Sequence, residues 1–475
     1  MRAPSRPHAG WTFAVVSIAL FMVVLDNLVV TTALPSIRVD LGATIGSLTW
    51  TVNAYTLAYA VLLLTGAALG DRFGRRRMFL IGLAIFSGAS AAAALSPSTG
   101  ALIAARAVQG VGAAIVTPLT LTMLSEAFPV ERRGLALGAW SGISGLGVAV
   151  GPLVGGAVVQ GISWHWIFWL NVPIGLILLP LAAARLTESR GPAGALDRPG
   201  LVLAAGGLFG LVFGVQHGAS DGWTSAIVLT SLIAGAALLA AFGAWEARAA
   251  RPMLPLRFFR ARAFGATQGV QFAMYFGVFG SIFLLAQFFQ TVQGMSPLEA
   301  GLRTLPWTAM PMFVAPVAGL LSDRIGSRPL MAAGLALQAT GLGWIAAIPT
   351  PTIAYSHLIA PFVLAGVGMA LVFAPAANTV LASVRPAEAG QASGATNAIR
   401  ELGGVLGVAV LATVFASTGS YASPESYVHG MTSATWVGVA VLAAGALAAL
   451  LVPGRGDRRA AAQSSAAPSV SAQPA

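Results

Sequence analysis

Apolar stretches of roughly 20 residues, each long enough as a helix to cross a bilayer, recur from Trp11 almost to Pro453 with only short polar or Gly/Pro-marked turns between them. A chain that is 57% hydrophobic and 9% charged also falls far below the charged fraction of about 25% typical of soluble domains. Both facts require a lipid solvent. The stretches predict an all-α, multi-pass inner-membrane protein of about fourteen helices, starting near residues 12, 49, 78, 100, 135, 166, 198, 223, 264, 299, 328, 355, 396 and 432.

The net charge of +11 would point to nucleic acid in a soluble protein, but the basic residues are all Arg and lie in alternate loops. Arg72, Arg75, Arg76 and Arg77 are followed by Arg132 and Arg133, then Arg185, Arg190 and Arg198, the stretch from Arg248 to Arg262, Arg324 and Arg328, Arg385, and finally Arg455, Arg458 and Arg459. The intervening loops hold little beyond Arg38 and Arg303. By the positive-inside rule both termini are expected in the cytoplasm, with the bilayer and not nucleic acid as the macromolecular partner. Arg2, Arg6 and His8 precede the first apolar stretch like a signal peptide's basic region, yet no small-residue cleavage site follows, so an uncleaved first helix is expected. The Ala/Ser/Pro/Gln tail after Pro453 reads as disordered.

Absences narrow the chemistry further. Without Lys there is no P-loop for ATP and no Schiff-base cofactor, and without Cys there are no disulfides, Cys-ligated zinc sites or iron–sulfur clusters. His8, His165, His217, His357 and His429 are scattered and match no zinc spacing, so neither metal nor cofactor is expected.

Three internal echoes divide the chain. Gly70-Asp71-Arg72-Phe73-Gly74 returns as Ser322-Asp323-Arg324-Ile325-Gly326. Leu102-Ile103-Ala104 with Gly110-Val111-Gly112 returns as Leu358-Ile359-Ala360 with Gly366-Val367-Gly368, and Leu146-Gly147-Val148-Ala149-Val150 as Leu406-Gly407-Val408-Ala409-Val410. They pair the second, fourth and fifth helices with the tenth, twelfth and thirteenth, and make the seventh and eighth an insert. The expected units are a six-helix bundle over 1–190, the inserted pair over 191–250, a second bundle over 251–452 and a cytoplasmic tail over 453–475. A substrate path is expected between the bundles.

Asp26, deep in the first helix, carries an insertion cost of about 2.5–3.5 kcal/mol at the bilayer centre and therefore needs a partner. Arg106 of the fourth helix is the candidate: counted along the helices it lies about 9 Å from the outer end and Asp26 about 15 Å, an offset within an Arg side chain's reach. The repeat places Phe362 where the first half has Arg106, so the fold itself does not require a cation there. Proton or substrate handling is the reading taken for the pair, against the plainer one of a helix-locking ion pair. Gly147, Gly151 and Gly155 leave one face of the fifth helix almost bare, and Pro152 invites a kink. Recurrence of Asp and Gly in the two Arg-rich loops suggests a salt-bridge latch built from Asp71, Gly74, Arg75, Asp323 and Gly326. Candidate substrate contacts are Asn53, Tyr55, Gln109, Gln268, Gln271, Tyr275, Phe279, Asn378 and Asn397, which would line a mostly apolar cavity suited to amphipathic compounds. Arg400 and Glu401, taken to lie near the start of the thirteenth helix, read as an interfacial pair.

Over residues up to about 452 these features resemble the major facilitator superfamily, specifically its fourteen-helix drug:proton antiporter branch. Leu69-Gly70-Asp71-Arg72-Phe73-Gly74-Arg75-Arg76 is similar to that superfamily's cytoplasmic signature, with Ala67 in place of its first Gly, and Gly319 to Gly326 is similar to the second copy. Arg106-Ala107-Val108-Gln109-Gly110 resembles the helix 4 motif, Gly147 with Gly151-Pro152 and Gly155-Gly156 the antiporter motif, and Leu25-Asp26 with Ala33-Leu34-Pro35 the helix 1 motif of this branch. Trp164-His165-Trp166-Ile167-Phe168 with Asn171-Val172-Pro173-Ile174-Gly175 is similar to the start of its helix 6. The resemblance implies two six-helix bundles plus two helices, no enzymatic activity, and export of drugs or amphipathic molecules by a monomer, driven by inward protons. Rival expectations are a dedicated exporter of one endogenous metabolite or antibiotic and a non-transporting membrane sensor.

Overall fold

The computed structural model describes residues 9–43, 45–191, 197–250, 252 and 254–454. The expected signal-like segment before Ala9 and the tail beyond Gly454 lie outside the described residues. Long helices follow one another as α1 Ala9–Leu41, α2 Ile45–Phe73, α3 Arg75–Ala94, α4 Thr99–Ala127 and α5 Val130–Gly161. After these come α6 His165–Arg185, broken at Leu170, then α7 Arg198–Asp221, α8 Ala226–Glu246 and α9 Arg262–Gln287. The series closes with α10 Leu298–Ile325, broken at Ala309, α11 Ser327–Ala347, α12 Ser356–Ala382, α13 Ala389–Thr418 and α14 Pro424–Ala449. Among the described residues 13 of these are long and apolar enough to cross a membrane, and α5 adds a further helix of 32 residues.

Local chemistry sets the ends. Ser98 starts α4 by accepting from the Ala101 amide, Asp197 starts α7 by accepting from Gly200, and Ser296 and Glu299 form a reciprocal capping box before α10. Gly74 (φ 107°) joins α2 to α3 and Gly326 (φ 89°) joins α10 to α11, both in the left-handed region open to glycine. The recurrence of Gly in the two echo loops thus has a backbone cause. Two starts differ from expectation: α13 begins at Ala389 and α14 at Pro424, not near 396 and 432. Gly390-Gln391-Ala392-Ser393-Gly394 reads as a loop by polarity, yet it is helical because its small residues pack against another helix: a side chain at Gly394 would collide with Ala67 of α2.

The two halves repeat their packing. α1 lies on α5 as α9 lies on α13, and α3 on α4 as α11 on α12. Between halves α5 packs on α10 and α13 on α2. The inserted α7 rests on α2 and α13, while α8 packs chiefly on α7. Lipid tails are as apolar as Leu, so this association depends on close van der Waals contact between small residues. The glycine stripe of α5 supplies it: a side chain at Gly147 would meet Val24, one at Gly151 would meet Leu28 and one at Gly155 would meet Val29, all on α1. A second row, Gly138, Gly142 and Gly145, faces Pro311, Met312, Ala315 and Pro316 of α10 across the seam. The helix runs through position 152 to Gly161; the side chain of Pro152 lies outside the described residues.

Candidate functional site: a buried charge network beside a central cavity

Asp26 is 2% exposed and Arg106 fully buried, and they pair directly, Arg106 Nη1 to Asp26 Oδ2 at 2.6 Å. The other carboxylate oxygen accepts from Gln109 Nε2 at 2.8 Å and from Asn171 Nδ2 at 2.7 Å. Gln109 Oε1 accepts from Arg106 at 2.7 Å, and Ser90 Oγ accepts from Gln109 and Asn171. Arg106 Nε donates to the Thr51 carbonyl at 3.3 Å, while the Tyr55 ring covers the guanidinium at 4.2 Å and Phe168 lies on it at 5.8 Å. One charge pair is therefore held by α1, α2, α3, α4 and α6 together, with its hydrogen-bonding capacity largely met inside the membrane. Gln109 belongs to this network and not to the substrate lining. Ser90, Thr51, Asn171 and Phe168 join it without having been singled out as site residues; the resemblance of the Asn171 segment to a family motif was the available signal. In the second half Phe362 packs on Trp307 at 6.1 Å and on Phe289 at 6.3 Å, an aromatic cluster in place of a charge network.

A central cavity of about 190 Å³ lies between the halves. Tyr55, Tyr59 and Trp140 from the first half and Tyr275, Phe279 and Phe373 from the second give it aromatic walls, and Asn27, Ser141, Asn397, Arg400 and Glu401 give it polar points. Tyr55 lines the cavity and its ring also carries the Arg106 guanidinium, so one side chain touches both the cavity and the buried pair. Of the sequence candidates, Tyr55, Tyr275, Phe279 and Asn397 line the cavity. Gln271 is outside the lining; with its amide turned so that the oxygen faces Arg400, it accepts from Arg400 Nη2 at 2.8 Å and Nε at 3.0 Å. Gln268 bonds Thr396 at 2.9 Å within the α9–α13 contact, Asn53 is outside the lining, and Asn378 is at the Arg-rich end, donating to Asp323 at 3.3 Å. Helical spacing could not tell these faces apart.

Arg400 and Glu401 are not an interfacial pair. Because α13 starts at Ala389, they lie about 16 Å along it, near mid-membrane, on the cavity wall. Arg400 also sits 5.3 Å over the Tyr275 ring.

At the Arg-rich end the salt bridges of the expected latch lie within the first half. Arg75, fully buried, bonds Asp71 Oδ1 through Nε at 2.9 Å and Nη2 at 2.6 Å and pairs with Glu126, all within the first half. Ser189 Oγ donates to the other Glu126 oxygen at 2.7 Å, and Glu188 accepts from the Arg76 and Arg77 amides. Both aspartates of the loops also contact the opposite half. Asp71 lies against Gly390 in the first turn of α13, where an added Cβ would stand 2.6 Å from its Cγ, and Asp323 lies against Gly134 near the start of α5, with the corresponding distance 2.7 Å. Each aspartate thus meets the electropositive start of a helix in the opposite half.

The model of the Major Facilitator Superfamily matches residues 16–408 and 267–471. The chain belongs to the major facilitator superfamily. It is accordingly a multi-pass membrane transporter of the inner membrane. The cephamycin export protein CmcT of Amycolatopsis lactamdurans is 41% identical over 430 residues, 89% of this chain and 88% of that protein. The puromycin resistance protein of Streptomyces alboniger is 36% identical over 92% of this chain and 90% of its own length, and the multidrug efflux pump LfrA of Mycolicibacterium smegmatis is 35% identical over 91% and 85%. Among solved structures the proton:xylose symporter XylE superposes with a TM-score of 0.67 at 16% identity over 95% of this chain and 97% of that one. The human organic anion transporter MFSD10 gives 0.64 at 16% identity over 93% and 100%. These two likenesses concern the fold.

Proposed function

We propose that this facilitator exports amphipathic small molecules, drugs or antibiotics among them, in exchange for protons, using Asp26 and Arg106 as the coupling pair. The observation that carries this reading is the buried Asp26–Arg106–Gln109–Asn171 network, linked to the central cavity through Tyr55, which lines the cavity and covers Arg106. A proton taken by Asp26 would release Arg106 toward the cavity side, and the change would be felt through Tyr55. Names of relatives at 35–41% identity support export as the direction.

In this reading the Arg-rich end is cytoplasmic, both termini are inside and the transporter works as a monomer. Residues 1–190 and 251–452 rock about the central cavity, with 191–250 as an added pair. Asp71 and Asp323 hold the cytoplasmic end shut through the starts of α13 and α5, with Arg75 orienting Asp71 and Gly74 and Gly326 shaping the turns. The glycine rows of α5, including Gly147, Gly151 and Gly155, keep α1 and α10 close enough to move as packed surfaces.

The deciding experiment is efflux of a fluorescent lipophilic cation from energised cells, with and without a proton uncoupler, for the native protein and Asp26→Asn. Uncoupler-sensitive efflux that disappears in the variant is expected; normal efflux by a folded Asp26→Asn protein would sink the role of Asp26. Export of one endogenous product is the second reading, favoured by the 41% identity to a cephamycin exporter. A substrate profile confined to one compound class would select it.

A further inference from the structure

Trp140 and Ser141 are neighbours on α5, each 3% exposed, and both line the central cavity. Among the described residues neither Trp140 Nε1 nor Ser141 Oγ has a hydrogen-bond partner. Other polar groups of the lining are already engaged. The Thr117 and Thr308 hydroxyls and the Asn397 amide donate to carbonyls one turn back in their own helices at 2.9, 3.3 and 2.9 Å, and the Tyr55 hydroxyl donates to the Val23 carbonyl at 3.4 Å. The Leu146/Leu406 echo matches Trp140 with Arg400 and Ser141 with Glu401, so the first half carries two neutral groups where the second carries charges. A buried tryptophan usually pairs its indole N–H, because a buried donor without an acceptor costs free energy. On a cavity wall that acceptor can come with the cargo.

The surroundings specify the ligand. An indole N–H only donates, so the group it selects is an acceptor oxygen. The charged side chains of the lining are Arg400 and Glu401, adjacent and of opposite sign, which leaves the wall formally neutral. Bringing a carboxylate into an apolar cavity costs far more than bringing a carbonyl, and a neutral indole N–H does not offset the difference. Aromatic pairs from both halves line the same space, Tyr55 with Tyr59 at 5.9 Å and 17° and Tyr275 with Phe279 at 5.6 Å and 13°, and they suit a flat body.

We infer that Trp140, with Ser141 beside it, is the acceptor-recognition point of the cavity, and that the transporter prefers flat, apolar molecules bearing a carbonyl oxygen. The inference deepens the export reading and rests on its choice of cavity. Its test is equilibrium binding of 9-fluorenone to the purified full-length protein, with fluorene, the same tricycle without the oxygen, as control. Each probe is compared between proteins, so its partition into detergent cancels. Trp140→Phe, which keeps a ring and removes the N–H, is expected to weaken fluorenone binding about three- to tenfold and to leave fluorene binding unchanged. Ser141→Ala should weaken fluorenone binding by a smaller factor, and Trp344→Phe, at an exposed side chain of α11, should alter neither probe. Retained fluorene binding certifies the fold of each variant. Failure of the native protein to bind fluorenone, or an equal change in both probes in a Trp140→Phe protein that melts at the native temperature, would overturn the inference even if uncoupler-sensitive efflux of other compounds persisted. Should Trp140→Phe not fold, Ser141→Ala decides: a selective loss of fluorenone upholds the inference and an unchanged affinity overturns it. Binding needs no proton gradient, so Trp140-dependent preference for fluorenone in a protein that gives no such efflux would uphold the inference while removing the export reading.

Discussion

Asp71→Asn is expected to loosen the seal at the Arg-rich end, and the size of the effect follows from which contacts change on opening. The two Arg75 bonds to Asp71 and the Arg75–Glu126 pair join α2, α3 and α4 of one half, so they persist in both conformations and cannot bias the equilibrium. Of these Asp71 contacts, the one that crosses between halves is that of the carboxylate with the first turn of α13. A partly buried carboxylate at a helix start contributes about 0.3–1 kcal/mol and up to about 2 kcal/mol. At 1.4 kcal/mol per factor of ten, the open population should rise by up to about thirtyfold. The absence of native Cys makes this measurable on a single reporter. Ser393 of α13 is fully buried and accepts from Thr122 of α4 at 3.2 Å, inside the sealed region. Ser393→Cys should react slowly with a membrane-impermeant maleimide supplied at the Arg-rich side and several-fold to thirtyfold faster once Asp71→Asn is added. An unchanged or slower rate would refute the helix-start seal.

Arg106→Ala should abolish coupled efflux and lower stability by about 3–5 kcal/mol, because Asp26 is left buried without its cation; Phe362→Ala should cost a similar amount by emptying the Trp307–Phe289 cluster yet retain coupling in whatever protein folds. Thermal unfolding alongside efflux separates the two. Gly151→Leu would set a Cβ 2.8 Å from that of Leu28 and is expected to lose about 1–3 kcal/mol or more as α1 is pushed from α5, read as a lowered melting temperature. Burial pushes the Glu388 carboxyl up, but hydrogen bonds from Arg385 and the Arg257 and Arg385 charges outweigh it, and its pKa lies below the ordinary carboxylate value. Its stabilising contribution is thus complete above the ordinary value and disappears as pH falls through the lower folded value. Native protein and Glu388→Gln should differ in melting temperature at neutral pH and converge in acid.

Helix number, the repeat and the Asp26–Arg106 pair were legible because each rests on one strong term: hydropathy over a span's length, or the penalty on a charge at the bilayer centre. The helix rise alone put the two charges within reach of one another, and the structure closes the distance to 2.6 Å. What completes the network was harder to read. Ser90 and Asn171 are small polar residues of a kind common in membrane helices, and the Thr51 contribution is a backbone carbonyl with no sequence signature. Gln268 and Asn378 are polar residues of spanning helices and so are expected at the cavity, but the rotation of a helix about its axis is fixed by its neighbours, which put Gln268 on Thr396 and Asn378 on Asp323.

The misplaced start of α13 had the larger consequence. Taking Gly390 to Gly394 as loop moved Arg400 and Glu401 to the membrane surface, where charged residues need no explanation. Restoring those residues to the helix carries both charges to mid-membrane and changes what the cavity can be. The halves then divide their charges: the first encloses its pair behind Tyr55, among donors from α4 and α6, and the second exposes Glu401 on a cavity wall whose first-half counterpart is Ser141. If the proposed export by proton exchange runs through Tyr55, then Tyr55→Phe, which keeps the ring over Arg106 and removes only the hydroxyl's 3.4 Å bond to the Val23 carbonyl, should retain coupled efflux, whereas Tyr55→Ala should uncouple it. Equal efflux from both variants would mean that the ring does not carry the coupling.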